Sequence, residues 1–189
     1  MNGRALAAAA LLALAGCAAN QPFRLGAGVG AAFATIDARS EGSASTDSLE
    51  FGTRGAGGFL EVMVPEGPVE LVLRASAQQS RGDIAGVATD GEVAAQRVTL
   101  LVSTPANLLG AGALRPLFGI SVGHLEVDFD ALLPYERGHL LTGGFAFGLE
   151  CELGGHVLLG AMSWFDYWGY PGDTDGNTFD SLVYVGARF

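Results

Sequence analysis

From Phe23 to the end of the chain, apolar and polar side chains alternate with period two, and no stretch sustains a helical period. Around Val69, one face reads Val69, Leu71, Leu73, Ala75, Ala77; the other reads Glu70, Val72, Arg74, Ser76, Gln78. At the end of the chain, Val183, Val185, Ala187 and Phe189 oppose Leu182, Tyr184, Gly186 and Arg188. The first stretch sets Phe23, Leu25, Ala27, Val29, Ala31 and Phe33 against Arg24, Gly26, Gly28 and Gly30. Another sets Leu141, Phe145, Phe147, Leu149 and Cys151 against Thr142, Gly144, Ala146, Gly148, Glu150 and Glu152. Eight such stretches predict strands over Phe23–Ile36, Leu49–Val64, Pro68–Ser80, Glu92–Thr104, Ala113–Glu126, His139–Glu152, Gly155–Trp168 and Thr178–Phe189. Each is about a dozen residues or longer, enough for a tilted membrane crossing.

The connections are expected to alternate in length. Residues 37–48, 81–91, 127–138 and 169–177 read as long loops, with shorter turns at 65–67, 105–112 and 153–154. Long loops on one side and short turns on the other are the pattern of a membrane barrel. One face is apolar; the other is glycine, small or charged. Apolar outside and polar inside is the membrane arrangement, whereas a soluble barrel reverses it. The second stretch is ambiguous, because Glu61 shares a face with Phe51 and Phe59. Either Glu61 lies at the membrane boundary, or a bulge near Gly57-Gly58 shifts the register. The fold class expected is therefore all-β: a closed, eight-stranded, antiparallel up-and-down transmembrane barrel. Only a closed sheet satisfies its edges in lipid.

Composition sharpens this picture. The chain has 189 residues, 49% hydrophobic and 16% charged, with 29 glycines. Its net charge of −10 argues against nucleic-acid partners, which need a basic surface. No apolar run after the leader is long enough for a spanning helix. Residues 1–19 read as an export signal for the Sec pathway: Arg4 begins it, and Ala5 to Ala15 forms a short apolar core. Leu14-Ala15-Gly16-Cys17 resembles a bacterial lipobox that would lipidate Cys17; the alternative is signal-peptidase cleavage after Ala19. The barrel domain then spans residues 20–189. With Cys17 lipidated or removed, Cys151 has no intrachain partner, and it reads as a small apolar side chain.

Two segments carry a family resemblance. Arg115-Pro116-Leu117-Phe118-Gly119-Ile120-Ser121-Val122-Gly123 resembles a strand of the small barrels related to the membrane domain of outer membrane protein A, with the OmpX-like and opacity-type barrels. Leu182-Val183-Tyr184-Val185-Gly186-Ala187-Arg188-Phe189 is similar to their terminal strand. The resemblance implies a bacterial outer-membrane location and recognition of the end, through Tyr184 and Phe189, by the barrel assembly machinery. Outer-membrane lipid and lipopolysaccharide are the partners expected around such a wall. No peptidoglycan-binding domain follows Phe189, so a wall-tethering role is not expected.

The candidate site is the charged face. Arg24, Arg54, Arg74, Arg97, Arg115 and Arg188 are assigned to the interior, with Glu50, Glu70, Glu150, Glu152 and Asp166 as partners. An eight-stranded barrel is just wide enough to be filled by side chains. Arg suits that space because its planar fork holds both oxygens of a carboxylate, and each buried charge there must be paired. A plug is the structural reading and a narrow channel the alternative.

Trp164, Phe165, Tyr167, Trp168 and Tyr170 read as an aromatic girdle at the membrane edge. The loops are acidic, and Asp173, Asp175 and Asn177 form a weak metal candidate without EF-hand spacing. Otherwise no cofactor or metal is expected. Catalysis finds little support: Ser121 and His124 fall on opposite strand faces, as do His156 and Ser163. The expected role is structural or surface-interacting. The alternatives are a barrel-edge lipid A-modifying deacylase or acyltransferase, a narrow channel, and a soluble lipid-binding barrel.

Overall fold

The computed structural model describes residues 23–40, 49–66, 69–84, 87–104, 114–129, 138–153, 156–170 and 174–189. The leader, Cys17 and Asp173 lie outside the described residues. Eight strands follow in order: β1 (Arg24–Ser40), β2 (Leu49–Glu66), β3 (Val69–Ile84), β4 (Val87–Ser103), β5 (Leu114–Phe129), β6 (Gly138–Leu153), β7 (Val157–Tyr170) and β8 (Thr174–Arg188). Each pairs antiparallel with its sequence neighbours, and β8 closes on β1. Closure leaves no strand edge unpaired, the condition for a sheet immersed in hydrocarbon.

The registers fix the barrel's geometry. From Arg188, successive pairing leads through Gly26, Glu61, Arg74, Thr99, Ser121, Gly144 and Asp166 and returns to β8 at Thr178, ten residues from its start. With eight strands, that stagger tilts them by about 40° and sets a backbone radius of about 8 Å. Leu25, Val29, Phe118, Ile120, Phe145, Leu149, Val183 and Val185 point outward and are exposed. Arg74, Arg188, Trp164, Leu101, Met162 and Leu182 point inward and are buried. The greasy belt is thus external and the interior is packed with side chains, including an apolar cluster built on Val72, Leu101, Leu117, Met162 and Leu182.

Three sequence expectations need correction. The first concerns β2. Its register against β1 and β3 runs without a shift through Gly57 and Gly58, so there is no bulge there. Phe59 and Glu61 therefore both point inward, and Arg54, of opposite parity, is exposed on the outer wall. Phe59 fits inside because Gly28 faces it: a Cβ on Gly28 would stand 2.5 Å from the Phe59 ring. The second concerns the girdle, since Trp164 and Trp168 are buried in the interior while Tyr167 is exposed outside.

The third concerns the connections. β3 and β4 continue past the lipid belt, pairing Arg81 with Glu92 and Gly82 with Gly91, with a register shift at Asp83/Ile84. Residues 81–84 and 87–91 of the expected loop are therefore strand, and β8 begins at Thr174 rather than Thr178. Polar strand above a membrane carries no apolar face to mark it, yet its backbone still pairs.

Candidate functional site

The closure brings Arg24 (β1), Glu61 (β2), Glu70 and Arg74 (β3), Arg115 (β5), Glu150 and Glu152 (β6), and Tyr184 and Arg188 (β8) into one network. It lies inside the end of the barrel that carries Phe23 and Phe189. At its centre is a closed ring of two arginines and two glutamates. Arg74 donates to Glu61 Oε2 through Nε (3.0 Å) and Nη2 (2.6 Å), and also to Glu150. Arg188 donates to Glu61 Oε1 through Nε (3.0 Å) and Nη2 (2.5 Å), and to Glu150 Oε2 at 2.9 Å. The Tyr184 hydroxyl accepts from Arg74 Nη1 at 3.1 Å and donates to Glu150 at 2.5 Å. The side chains of Arg74, Arg188, Glu61 and Glu150 have no solvent exposure.

Toward the rim, Glu152 collects three guanidinium groups: Arg24 at 2.7 Å, Arg115 at 3.0 Å and Arg188 at 3.3 Å. Arg115 also holds Glu70 at 2.5 Å. Arg24, Arg74, Arg115 and Arg188 thus face Glu61, Glu70, Glu150 and Glu152, so the network is charge-balanced. Buried charges survive only when paired and hydrogen-bonded in this way. The rings of Phe59 and Tyr184 flank Arg74, whose guanidinium carbon stands 4.0 Å from the Phe59 centroid. Gly160 makes room for Tyr184, since a Cβ there would lie 2.6 Å from the phenol ring.

A second layer lies toward the opposite end. Arg97 (β4) pairs with Asp166 (β7) and Asp180 (β8), and Ser121 donates to Asp166 at 2.6 Å. Trp164 packs beside Arg97 and donates its indole N–H to Thr99 at 3.0 Å. Here one arginine meets two carboxylates. Ser76 Oγ, Gln78 Nε2, Arg97 Nη1, Trp168 Nε1 and Thr178 Oγ1, on neighbouring inward positions, are buried without a protein partner.

Of the residues assigned to the interior from sequence, Arg74, Arg97, Arg115, Arg188, Glu150 and Asp166 are buried there. Arg24, Glu70 and Glu152 stand nearer the rim. Arg54 does not join them, and Glu50 shares its strand parity. Glu61 and Asp180 were missed. Asp180 has the inward parity of Leu182 and Tyr184, a signal the sequence held; Glu61 was masked by the aromatic on its own face. Phe189 is exposed, and its backbone exchanges hydrogen bonds of 2.9 and 2.7 Å with Leu25, closing the seam. Asn177 and the backbone of Asp175 belong to β8, not to a loop. Among the described residues no cluster of metal-ligating side chains occurs. Cys151 is half-buried on the outer wall and unpaired.

Among the described residues, the serine and histidines weighed from sequence have other surroundings. Ser121 is committed to Asp166, His124 is exposed on the outer wall, and His156 contacts the Arg188 carbonyl at 3.1 Å.

Comparison with known proteins agrees with this architecture. No curated protein matches the sequence. Neisserial surface protein A superposes with a TM-score of 0.53 at 14% identity, over 88% of this chain and 95% of that one. The outer membrane protein OprG of Pseudomonas aeruginosa superposes at 0.52 with 12% identity, over 89% and 97%. At such identities these likenesses concern the fold alone. The model of the outer membrane protein beta-barrel domain matches residues 5–189. With a closed eight-stranded wall that is apolar outside and charged within, this chain belongs to the outer membrane protein beta-barrel domain family.

Proposed function

We propose that the protein is a plugged, non-enzymatic barrel that reinforces the outer membrane and presents an acidic surface outward. The observation carrying this reading is the neutral ring of Arg74, Glu61, Arg188 and Glu150 with its rim partners, which fills the bore with fully buried ion pairs. A barrel of eight strands leaves space for side chains and not for a continuous water column. In planar lipid bilayers the refolded protein is expected to give no stepwise conductance. A steady, ion-selective open state would overturn the plug.

The reading includes export through the Sec pathway with residues 1–19 as signal, lipidation at Cys17, and termini facing the periplasm. It includes recognition of the strand ending in Tyr184 and Phe189 by the assembly machinery, and lipopolysaccharide as the lipid neighbour. The absence of catalysis is tested separately: lipid A mass should be unchanged by deletion and by overexpression of the gene.

A further inference from the structure

In the layer of the bore nearer the loops, charge is left unbalanced. Arg97 crosses from β4 to Asp166 on β7 and Asp180 on β8, and its Nε and Nη2 are spent on them. All three side chains are at most 1% exposed, so one positive charge is buried against two negative ones. Heights follow from the stagger: about 2.5 Å per residue along a strand and about 3 Å per strand step. At the height of Arg97 and the two aspartates, the other strands turn inward Ala32 (β1), Gly55 (β2), Gln78 (β3), Gly123 (β5) and Gly144 (β6). Among the described residues, then, no further ionisable side chain faces this layer. The ring of Arg74, Glu61, Arg188 and Glu150 is neutral; this layer carries an unmatched negative charge, which burial strongly disfavours.

Hydrogen bonding falls short at the same level. Ser76 pairs with Arg97 across β3 and β4, and Thr178 with Asp166 across β7 and β8. Gln78 and Trp168 take the next inward positions toward the loops after Ser76 and Asp166. All of these side chains are more than nine-tenths buried, yet Ser76 Oγ, Gln78 Nε2, Arg97 Nη1, Trp168 Nε1 and Thr178 Oγ1 have no protein partner. Three of these atoms are N–H groups, which only donate. The neighbouring glycines and alanine have no side-chain acceptor to offer. They supply room instead: a Cβ on Gly123 would stand 2.8 Å from the Arg97 side chain, and one on Gly144 2.8 Å from Asp166 Oδ1. Apolar side chains bound the layer on both sides, with Leu101, Met162 and Leu182 beneath it and Ile36, Leu125 and Leu140 buried nearer the loops.

We propose that this layer is a binding site for ordered water that carries one proton taken up from solvent on folding. Water oxygens accept from Arg97 Nη1, Gln78 and Trp168, and water hydrogens reach the two hydroxyls, each buried water keeping about three such partners. The proton, held within the network of Asp166, Asp180 and water, balances the second carboxylate. The donor set selects this occupant. An anion would meet two carboxylates. A metal cation requires a shell of oxygen ligands, where three N–H groups stand instead. A proton requires no shell. The site is separate from the ring below and is the same whichever end of the barrel faces the periplasm.

The test compares the full refolded wild type with Asp180→Asn in vesicles, reading the urea unfolding equilibrium between about pH 6.5 and 8, well above the ordinary aspartate value of about 3.9. Unfolded, both aspartates are ionised there. Folded, the network keeps one proton more, so stability falls as pH rises. The wild-type folding equilibrium constant should fall about tenfold more per pH unit than that of Asp180→Asn, whose layer is already neutral. The histidines are common to both proteins and cancel in the difference. Asp166→Asn provides the same comparison by a second route if Asp180→Asn does not fold. In detergent micelles, NMR should show water in contact with the indole N–H of Trp168 and not with that of Trp164, which is bonded to Thr99. Equal pH slopes in wild type and variants, or no water at Trp168, overturns the proposal. So does a wild type stabilised by exchanging choline for sodium at constant ionic strength, because a metal ion would then hold the place of the proton. Bilayer conductance reads the ring alone, so failure of the plug and failure of this site are distinguishable.

Discussion

Glu61 is the residue on which the interior hinges. Its two oxygens take four N–H donors from Arg74 and Arg188, and each guanidinium also reaches Glu150. Removing it leaves Arg74 and Arg188 sharing Glu150, with one buried positive charge uncompensated where water cannot follow, so Glu61→Ala should cost about 3–5 kcal/mol, the range for breaking a buried ion pair. The readout is the urea midpoint of unfolding in vesicles. Arg54→Gln, on the exposed wall, should change it by no more than about 0.5 kcal/mol; equal effects from both would mean that the ring contributes nothing. Gly160 makes the complementary point about space. Gly160→Val places side-chain atoms where the Tyr184 ring stands, and should cost about 1–3 kcal/mol by overpacking. These two residues show why the inward face could be read only in part from sequence. Charge marks an inward residue plainly on β3, β6 and β8, because Arg74, Glu150 and Arg188 alternate with Leu73, Leu149 and Ala187. A bulky aromatic does not mark an outward one. Phe59 and Trp164 point in because glycines or small residues on the facing strands leave them room, and pairing partners are invisible until the register is known.

At the scale of whole strands, β7 carries its two tryptophans on one face but at different depths. Trp164 is bonded to Thr99, whereas Trp168, two inward positions nearer the loops, has no protein partner. Hydrogen–deuterium exchange of the two indole N–H groups, followed by NMR in detergent micelles, should therefore be slower at Trp164. The reverse order would contradict the layering of the bore. The same strand shows what periodicity delivers and what it withholds. Parity was readable along the membrane crossing of β1, β3, β5, β6 and β8, since hydrocarbon imposes an apolar outer face there. Beyond the belt, in the β3–β4 hairpin from Ser80 to Val93, both faces may be polar without penalty, so parity vanishes while the backbone ladder continues. Strand ends were underestimated for that reason, and the loops overestimated.

For the molecule as a whole, charge is divided between two environments that respond to salt in opposite ways. The ring arginines Arg74 and Arg188 are matched by carboxylates and sealed from solvent, while most of the 20 acidic residues fall in the strand extensions and connections at the loop end, where few of the 10 arginines accompany them. Counter-ions screen the second population and not the first: the Debye length falls from about 10 Å at 0.1 M salt to about 3 Å at 1 M, and dry pairs lie beyond its reach. Raising sodium chloride across that range should therefore leave the urea midpoint of the vesicle-bound protein nearly unchanged. It should also release a small cationic protein captured by the same vesicles through the acidic end. The two measurements separate because one reads the interior and the other the exterior field. A steep fall in the unfolding midpoint with salt would mean that water reaches the ring of Arg74, Glu61, Arg188 and Glu150. A barrel wet at that level would no longer be closed to ions, so the conductance experiment and the salt titration must agree.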